Sequence, residues 1–179
     1  MPIVTSDAAA PPPPPGVLVR PARTADVRAI RALVAPLAEA RVLLQKEAVA
    51  YYESVVDFVV AEVDGRVVGC GAVHVLWEDL GEVRTLAVEA GVVGRGVGSA
   101  ILVRLVERAR ELGLSRLFCL TFETEFFGRH GFTAIEGQAV EPEVYAELLR
   151  SYDEGVAEFL DLERVKPNTL GNVRMLRVL

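Results

Sequence analysis

A strand that runs into a glycine turn and then a helix constrains this chain more than any other feature. Glu82-Val83-Arg84-Thr85-Leu86-Ala87-Val88 alternates like a strand. Val93-Gly94-Arg95-Gly96-Val97-Gly98-Ser99-Ala100 reads as a glycine-rich turn that opens an amphipathic helix. Such a junction points unpaired backbone N–H groups outward at the positive end of a helix. Glycine leaves no Cβ atom in the way of an approaching ligand. The arrangement suits a phosphate compound. The turn lacks the Gly-Lys-Ser/Thr ending of a P-loop. Ser99 stands where a dinucleotide fingerprint needs its third glycine. The strand carries Glu82, Arg84 and Thr85, whereas a fully buried parallel strand is continuously apolar. Part of it is therefore expected to line a cleft.

The remainder is expected to form one compact domain. The 179 residues suffice for a sizeable core, and 51% of them are apolar. A net charge of −6 argues against a nucleic-acid partner, which clustered Lys and Arg would attract. Cys70 and Cys119 both sit in apolar strand-like runs, so buried thiols are expected. The two cysteines and two histidines, His74 and His130, show no ligand spacing, and no metal site is expected. No apolar run reaches the ~20 residues of a membrane span. The N-terminus lacks the basic and apolar regions of a secretory signal. A cytoplasmic protein without a membrane partner follows as the expectation.

Residues 1–16, with five prolines from Pro11 to Pro15, are expected to form a disordered, dispensable tail before a domain at 17–179. Val17-Leu18-Val19-Arg20 reads as a first strand. Thr24 is a candidate N-cap for a helix with Val27, Ile30, Val34 and Leu37 on one face, which Pro36 should end or kink. A second helix is expected over Lys46 to Asp57. Asp64-Gly65 between apolar runs predicts a hairpin. After the Glu82 strand come a helix from Gly96 to about Leu112, a strand from Arg116 to Thr121 and a short helix from Glu123 to His130. A strand from Phe132 to Ile135, a helix from Pro142 to about Tyr152 and a strand from Val173 to Leu179 complete the chain. This order predicts a mixed α/β fold, one mixed sheet with helices on both faces.

With these motifs in place, the chain resembles the GNAT-type N-acetyltransferases from about Val17 to Leu179. Their signature Q/R-x-x-G-x-G/A falls on Val93-Gly94-Arg95-Gly96-Val97-Gly98, with Val93 departing from the usual Gln or Arg. The resemblance implies the GNAT fold and acetyl-CoA as cosubstrate. It implies that the turn from Val93 to Ser99 holds the pyrophosphate. Backbone groups of Leu86, Ala87 and Val88 would hold the pantetheine arm on a strand splayed from its neighbour. Phe127-Gly128-Arg129-His130-Gly131-Phe132 is similar to the family's Y-x-x-x-G-F. Phe127 and Arg129 would border the cofactor, and Phe127 leaves no tyrosine there to protonate the departing thiolate.

Within the family the chain looks like the amino-acid acetyltransferases that make N-acetylglutamate, the first step of arginine synthesis. Val42-Leu43-Leu44-Gln45-Lys46, Gly81 to Val88, Arg116 to Thr121 and Lys166 to Leu176 carry this likeness. The chain has no room for the kinase-like domain that binds arginine in many relatives. Arginine feedback through such a domain is expected to be absent. The resemblance places Glu82 as a general base and Thr121 as a hydroxyl that steers a proton to the thiolate. A backbone N–H near Leu86 would polarise the thioester carbonyl. Leu44, Lys46, His74, Arg84 and Arg174 are the candidate substrate-binding residues, the cations for carboxylates. Glutamate and glutamine both remain open as the acceptor, as does a homodimer. The alternatives are a GNAT enzyme for another amine (a protein N-terminus, polyamine or drug), a non-catalytic acyl-CoA-binding module and a nucleotide-binding protein.

Overall fold

The computed structural model describes residues 11–179, with side chains at all of these except 167 and 168. Seven strands form one mixed sheet in the order β1-β2-β3-β4-β5-β7-β6. They are β1 (Val17–Pro21), β2 (Phe58–Val63), β3 (Arg66–Val75), β4 (Leu80–Val88), β5 (Arg116–Thr121), β6 (Thr133–Ala134) and β7 (Val173–Val178). The β4–β5 pair is parallel and the others are antiparallel. The helices are α1 (Val27–Glu39), α2 (Ala48–Glu53), α3 (Val97–Glu111), α4 (Thr124–Arg129), α5 (Pro142–Leu148), α6 (Glu154–Phe159) and α7 (Lys166–Thr169).

The apolar patterning explains the layers. β2 is buried on both faces, and its neighbouring side chains go to different cores. Val59 and Ala61 join α3 residues Ile101, Leu102 and Leu105 on one face. Val60 joins Val27, Ile30 and Val34 of α1 on the other. A third cluster sits where Leu80 and Phe118 meet Val156, Phe159 and Leu160. Its rings of Phe118 and Phe159 pack edge to face with centroids 4.9 Å apart. Along β4, Glu82 and Arg84 share the parity of Leu80. They therefore face the gap between the α1 cluster and the α6 cluster. The expected mixed sheet with helices on both faces is present.

Two irregularities shape the centre of the sheet. The β3–β4 register steps from Ala72↔Arg84 to Cys70↔Ala87, which makes a bulge at Thr85 and Leu86. Thr85 has φ 56°, a left-handed conformation that a β-branched residue avoids. Gly71 lies opposite, and a Cβ there would come within 2.9 Å of both Ile101 and Leu105. Second, β4 pairs with β5 only from Leu80 to Glu82. Beyond Glu82 the two parallel strands part, leaving a wedge at the bulge.

The Asp-Gly hairpin forms as predicted, with Asp64 and Gly65 at φ 50° and 77°. Cys70 and Cys119 are buried, and burial pushes both thiols up, Cys70 to about 12. Several expectations need correction. α1 runs past Pro36 to Glu39, because Pro36 and Ala32 lie on the exposed face, where water reaches the unbonded carbonyl. The second helix is only α2, followed by a 3₁₀ turn at Val55–Asp57. The strand expected over Phe132 to Ile135 is two residues long, and α5 ends at Leu148 rather than near Tyr152. α6 and α7 were not expected at all. The expected tail is described only from Pro11 onward. Pro11, Pro12 and Pro13 border a surface groove with β1 and α3, and the Val17 N–H donates to the Pro14 carbonyl at 3.0 Å. Residues 1–10 of that tail lie outside the described residues. Among the described residues, no helix is long and apolar enough to cross a membrane.

Candidate active site

The glycine turn forms as its sequence demands. Gly94 and Gly96 take φ values of 79° and 81°, which only glycine adopts without strain. Gly96 is the N-cap of α3, and no side chain caps the helix. The first-turn N–H groups of Val97, Gly98 and Ser99 therefore have no intrahelical acceptor. A Cβ at Gly94 would meet open space, so the turn is accessible. Pro14 flanks it, 3.0 Å from where a Gly96 Cβ would stand. Val93 and Arg95 are exposed on the turn, and Arg129 is exposed at the end of α4. Phe127 is 6% exposed and packs edge to face on Phe126 and Phe132 in the core. Phe126 borders the turn, with its ring 3.6 Å from a Cβ built on Gly98. His130 Nε2 lies 3.0 Å from Ser99 Oγ and ties the end of α4 to the first turn of α3.

A cleft of about 610 Å³ opens along the bulge, bordered by Leu44, Lys46, His74, Arg84, Thr85 and Asp153. An inner well of about 60 Å³ continues from it over β4, reaching Glu82, Leu120, Gly155 and Glu158. Leu44, Lys46, Arg84 and Thr85 border both cavities. His74 pairs in register with Glu82 and contacts Asp57 Oδ2 through Nδ1 at 3.1 Å.

Arg84 organises the well. Its Nε donates to Glu82 Oε2 at 2.6 Å, and its Nη1 lies 2.9 Å from Asp153 Oδ1. The Arg84 side chain is 9% exposed. Burial pushes the guanidinium down, but Glu82 and Asp153 outweigh it and hold the group above its ordinary range. Asp153 also accepts the Val156 N–H at 2.8 Å as the N-cap of α6. Burial pushes its carboxyl up, but the charge of Arg84, the Val156 N–H and the charges of His74 and Lys46 together outweigh it, and the net shift is downward. The first turn of α6 lies directly on the guanidinium, because a Cβ at Gly155 would sit 2.5 Å from Arg84 Cζ. Arg84 Nη2 is buried with no hydrogen-bond partner among the described residues. Lys46 forms no hydrogen bond or ion pair among the described residues, and burial followed by the charge of Arg84 pushes its ammonium down. Glu158, one turn along α6, likewise has no such partner, and burial followed by the charge of Glu82 pushes its carboxyl up to about 7.

Residues 29–132 match the acetyltransferase (GNAT) family model. The chain belongs to the GNAT acetyltransferase family. An amino-acid acetyltransferase of Mycobacterium tuberculosis is 60% identical over 165 residues, which cover 90% of this chain and 94% of the relative. A crystal structure from the same organism, in complex with CoA and NLQ, superposes with TM-score 0.88 at 60% identity, covering 90% of this chain and 99% of that one. An N-acetylglutamate synthase of Neisseria gonorrhoeae, complexed with coenzyme A and N-acetyl-glutamate, superposes with TM-score 0.72 at 27% identity. That match covers 91% of this chain but 35% of the synthase.

Two of the expected site residues of this acetyltransferase, Arg174 and Thr121, do not border the two cavities. Arg174 stacks over Phe118 at 4.8 Å and donates to the Gly137 carbonyl at 3.1 Å, which fixes the loop before α5. Thr121 is 7% exposed, and its Oγ1 accepts the Glu123 N–H at 2.8 Å at the start of α4. Its hydroxyl proton remains available as a donor. The sequence reading missed Asp153, Gly155 and Glu158 because it missed α6. The signal was present: an Asp N-cap followed by Val156, Phe159 and Leu160 at helical spacing.

Proposed function

We propose that this enzyme transfers the acetyl group of acetyl-CoA to the α-amine of glutamate or glutamine, as the first step of arginine synthesis. One observation carries the reading: a half-buried cation without a partner among the described residues, Lys46, faces the Glu82–Arg84–Asp153 network across the cleft along the β4 bulge. An amino acid needs a cation for its carboxylate and a carboxylate for its ammonium, and the well offers both. The names of the Mycobacterium and Neisseria relatives support the same acceptor class.

The turn fits a coenzyme A pyrophosphate by its chemistry. The free N–H groups at α3 face an accessible glycine turn, and the wedge at Leu86, Ala87 and Val88 leaves backbone groups for the pantetheine arm. When bound, acetyl-CoA supplies an electrophilic thioester carbonyl. Lys46 holds the acceptor carboxylate, Leu44 walls the cleft, and His74 and Arg84 border it. Glu82, itself held by Arg84, accepts a hydrogen bond from the acceptor nitrogen and aims it. A C–N bond forms as the C–S bond breaks, and the thiolate leaves with the electron pair.

A coenzyme A release assay across the amino acids tests this function. Turnover with glutamate or glutamine is expected, and silence with both refutes the reading. Lys46→Met should raise the acceptor KM by about 10- to 150-fold, the equivalent of ~1.5–3 kcal/mol for a charged hydrogen bond. The acetyl-CoA KM should move little. Gly96→Val forces a β-branched residue into a left-handed conformation and crowds Pro14. Calorimetry should show acetyl-CoA affinity falling by ~10-fold or more, because the amides of the turn lose their aim.

A further inference from the structure

Two carboxyls meet in the inner well, and their surroundings differ. Glu82 is engaged by the Arg84 guanidinium at 2.6 Å. Glu158 projects from α6 into the same well with no hydrogen bond or ion pair among the described residues. It is half-buried, and α6 is fixed in place by Val156, Phe159 and Leu160 in the core. The charged groups that face Glu158 are Glu82 and Arg84 from β4, Lys46 from the segment before α2, and Asp153 at the start of α6. Arg84 is shared between Glu82 and Asp153, so Glu158 is left as the carboxyl with an unengaged oxygen pair.

We propose that Glu158 is the group that takes the proton from the acceptor ammonium, while Glu82 positions the nitrogen. This rests on the amine acceptor proposed above. The step balances simply. The ammonium N–H bond breaks and leaves its pair on nitrogen, the proton bonds to a Glu158 oxygen, and a neutral amine and a neutral carboxyl result. Electrons are neither gained nor lost. As the amide forms, the second amine proton goes to the departing thiolate. Glu158 then returns its proton to water, and one proton is released per turnover. The ionisation range fits the task, because burial and the charge of Glu82 place this carboxyl near neutrality. An acid–base group works best when its pKa lies near the operating pH.

Glu158→Gln keeps the shape and removes the basicity. In the parent, kcat/KM for the acceptor should rise with pH through an inflection near 7. In Glu158→Gln that inflection should vanish, and the rate at pH 8 should fall by ~10²-fold. The acetyl-CoA dissociation constant should hold. Glu82→Gln should also slow turnover, but it should keep an inflection, moved to lower pH because a neighbouring negative charge is gone. Thermal melts give a readout that needs no substrate. A carboxyl raised in the folded state contributes its full stability below its unfolded value of ~4.3 and loses it as pH passes 7. The Tm of Glu158→Gln should therefore gain on the parent by about 3–6 °C between pH 4 and pH 8. A Glu158→Gln enzyme with the parent's rate and inflection overturns the proposal while leaving the acetyl transfer intact. A parent that is silent with glutamate and glutamine overturns the functional reading, and this inference with it.

Discussion

Arg84→Met is expected to cost about 3–5 kcal/mol of folding stability, the range for removing one partner of a buried ion pair. The guanidinium joins β4 to α6 through Glu82 and Asp153, and its side chain is 9% exposed. Methionine fills much of the volume but leaves the carboxylates of Glu82 and Asp153 without the cation they share. Urea unfolding at pH 7 measures the loss directly. The pH dependence separates charge from packing. Asp153 has a depressed carboxyl in the folded protein, so its pairing stabilises the fold above the unfolded value near 4. That contribution is lost as pH falls through the depressed folded value. The variant has no such contribution to lose, so its deficit should narrow towards acid. A deficit constant from pH 7 to pH 3 would assign the role of Arg84 to packing alone.

Gly155→Ala should lower kcat/KM for the acceptor by ~10²-fold, the scale expected when a reacting group moves by about 1 Å. The new Cβ would stand 2.5 Å from Arg84 Cζ and 2.6 Å from Nη2. The guanidinium must move, and Glu82 must move with it. Gly155 has no left-handed backbone, so alanine suits the helix itself. Helix propensity alone would make this change stabilising by up to ~1 kcal/mol. Displacement of Arg84 predicts the opposite sign, a lower Tm together with a weaker acceptor step. An acetyl-CoA KM close to the parent value would locate the damage in the inner well. A more stable, fully active Gly155→Ala would show that Arg84 yields without consequence.

The parts of this fold that were legible in the sequence share a local cause. The Asp64-Gly65 hairpin, the α3 stripe and the left-handed glycines at 94 and 96 each follow from residues within one turn of one another. Glu82 and Lys46 were found because motifs placed them, and the structure brings both to one well. The parts that were not legible share the opposite cause. Only the fold shows that Arg174 stacks over Phe118. Only the fold shows that Phe127 packs on Phe132 in the core. The α6 segment is six residues long with a glycine near its start, too weak a helix to announce itself by propensity. Its packing on Phe118 makes it a helix, and that contact joins residues far apart in sequence.

The sheet of this protein is joined at its centre by a seam only three residues wide, Leu80–Glu82 against Arg116–Phe118. Past the seam, the two half-sheets are held by α3 and by side chains. A ligand lodged in the wedge would act as a missing strand, adding hydrogen bonds that span both halves. Its binding energy would then be folding energy. A ligand present at 100 times its dissociation constant adds ~2.7 kcal/mol to the stability of the bound form. For a fold of ordinary marginal stability, that is a sizeable fraction of the whole. The amount of intact enzyme in a cell would thus follow the supply of the molecule that fills the wedge.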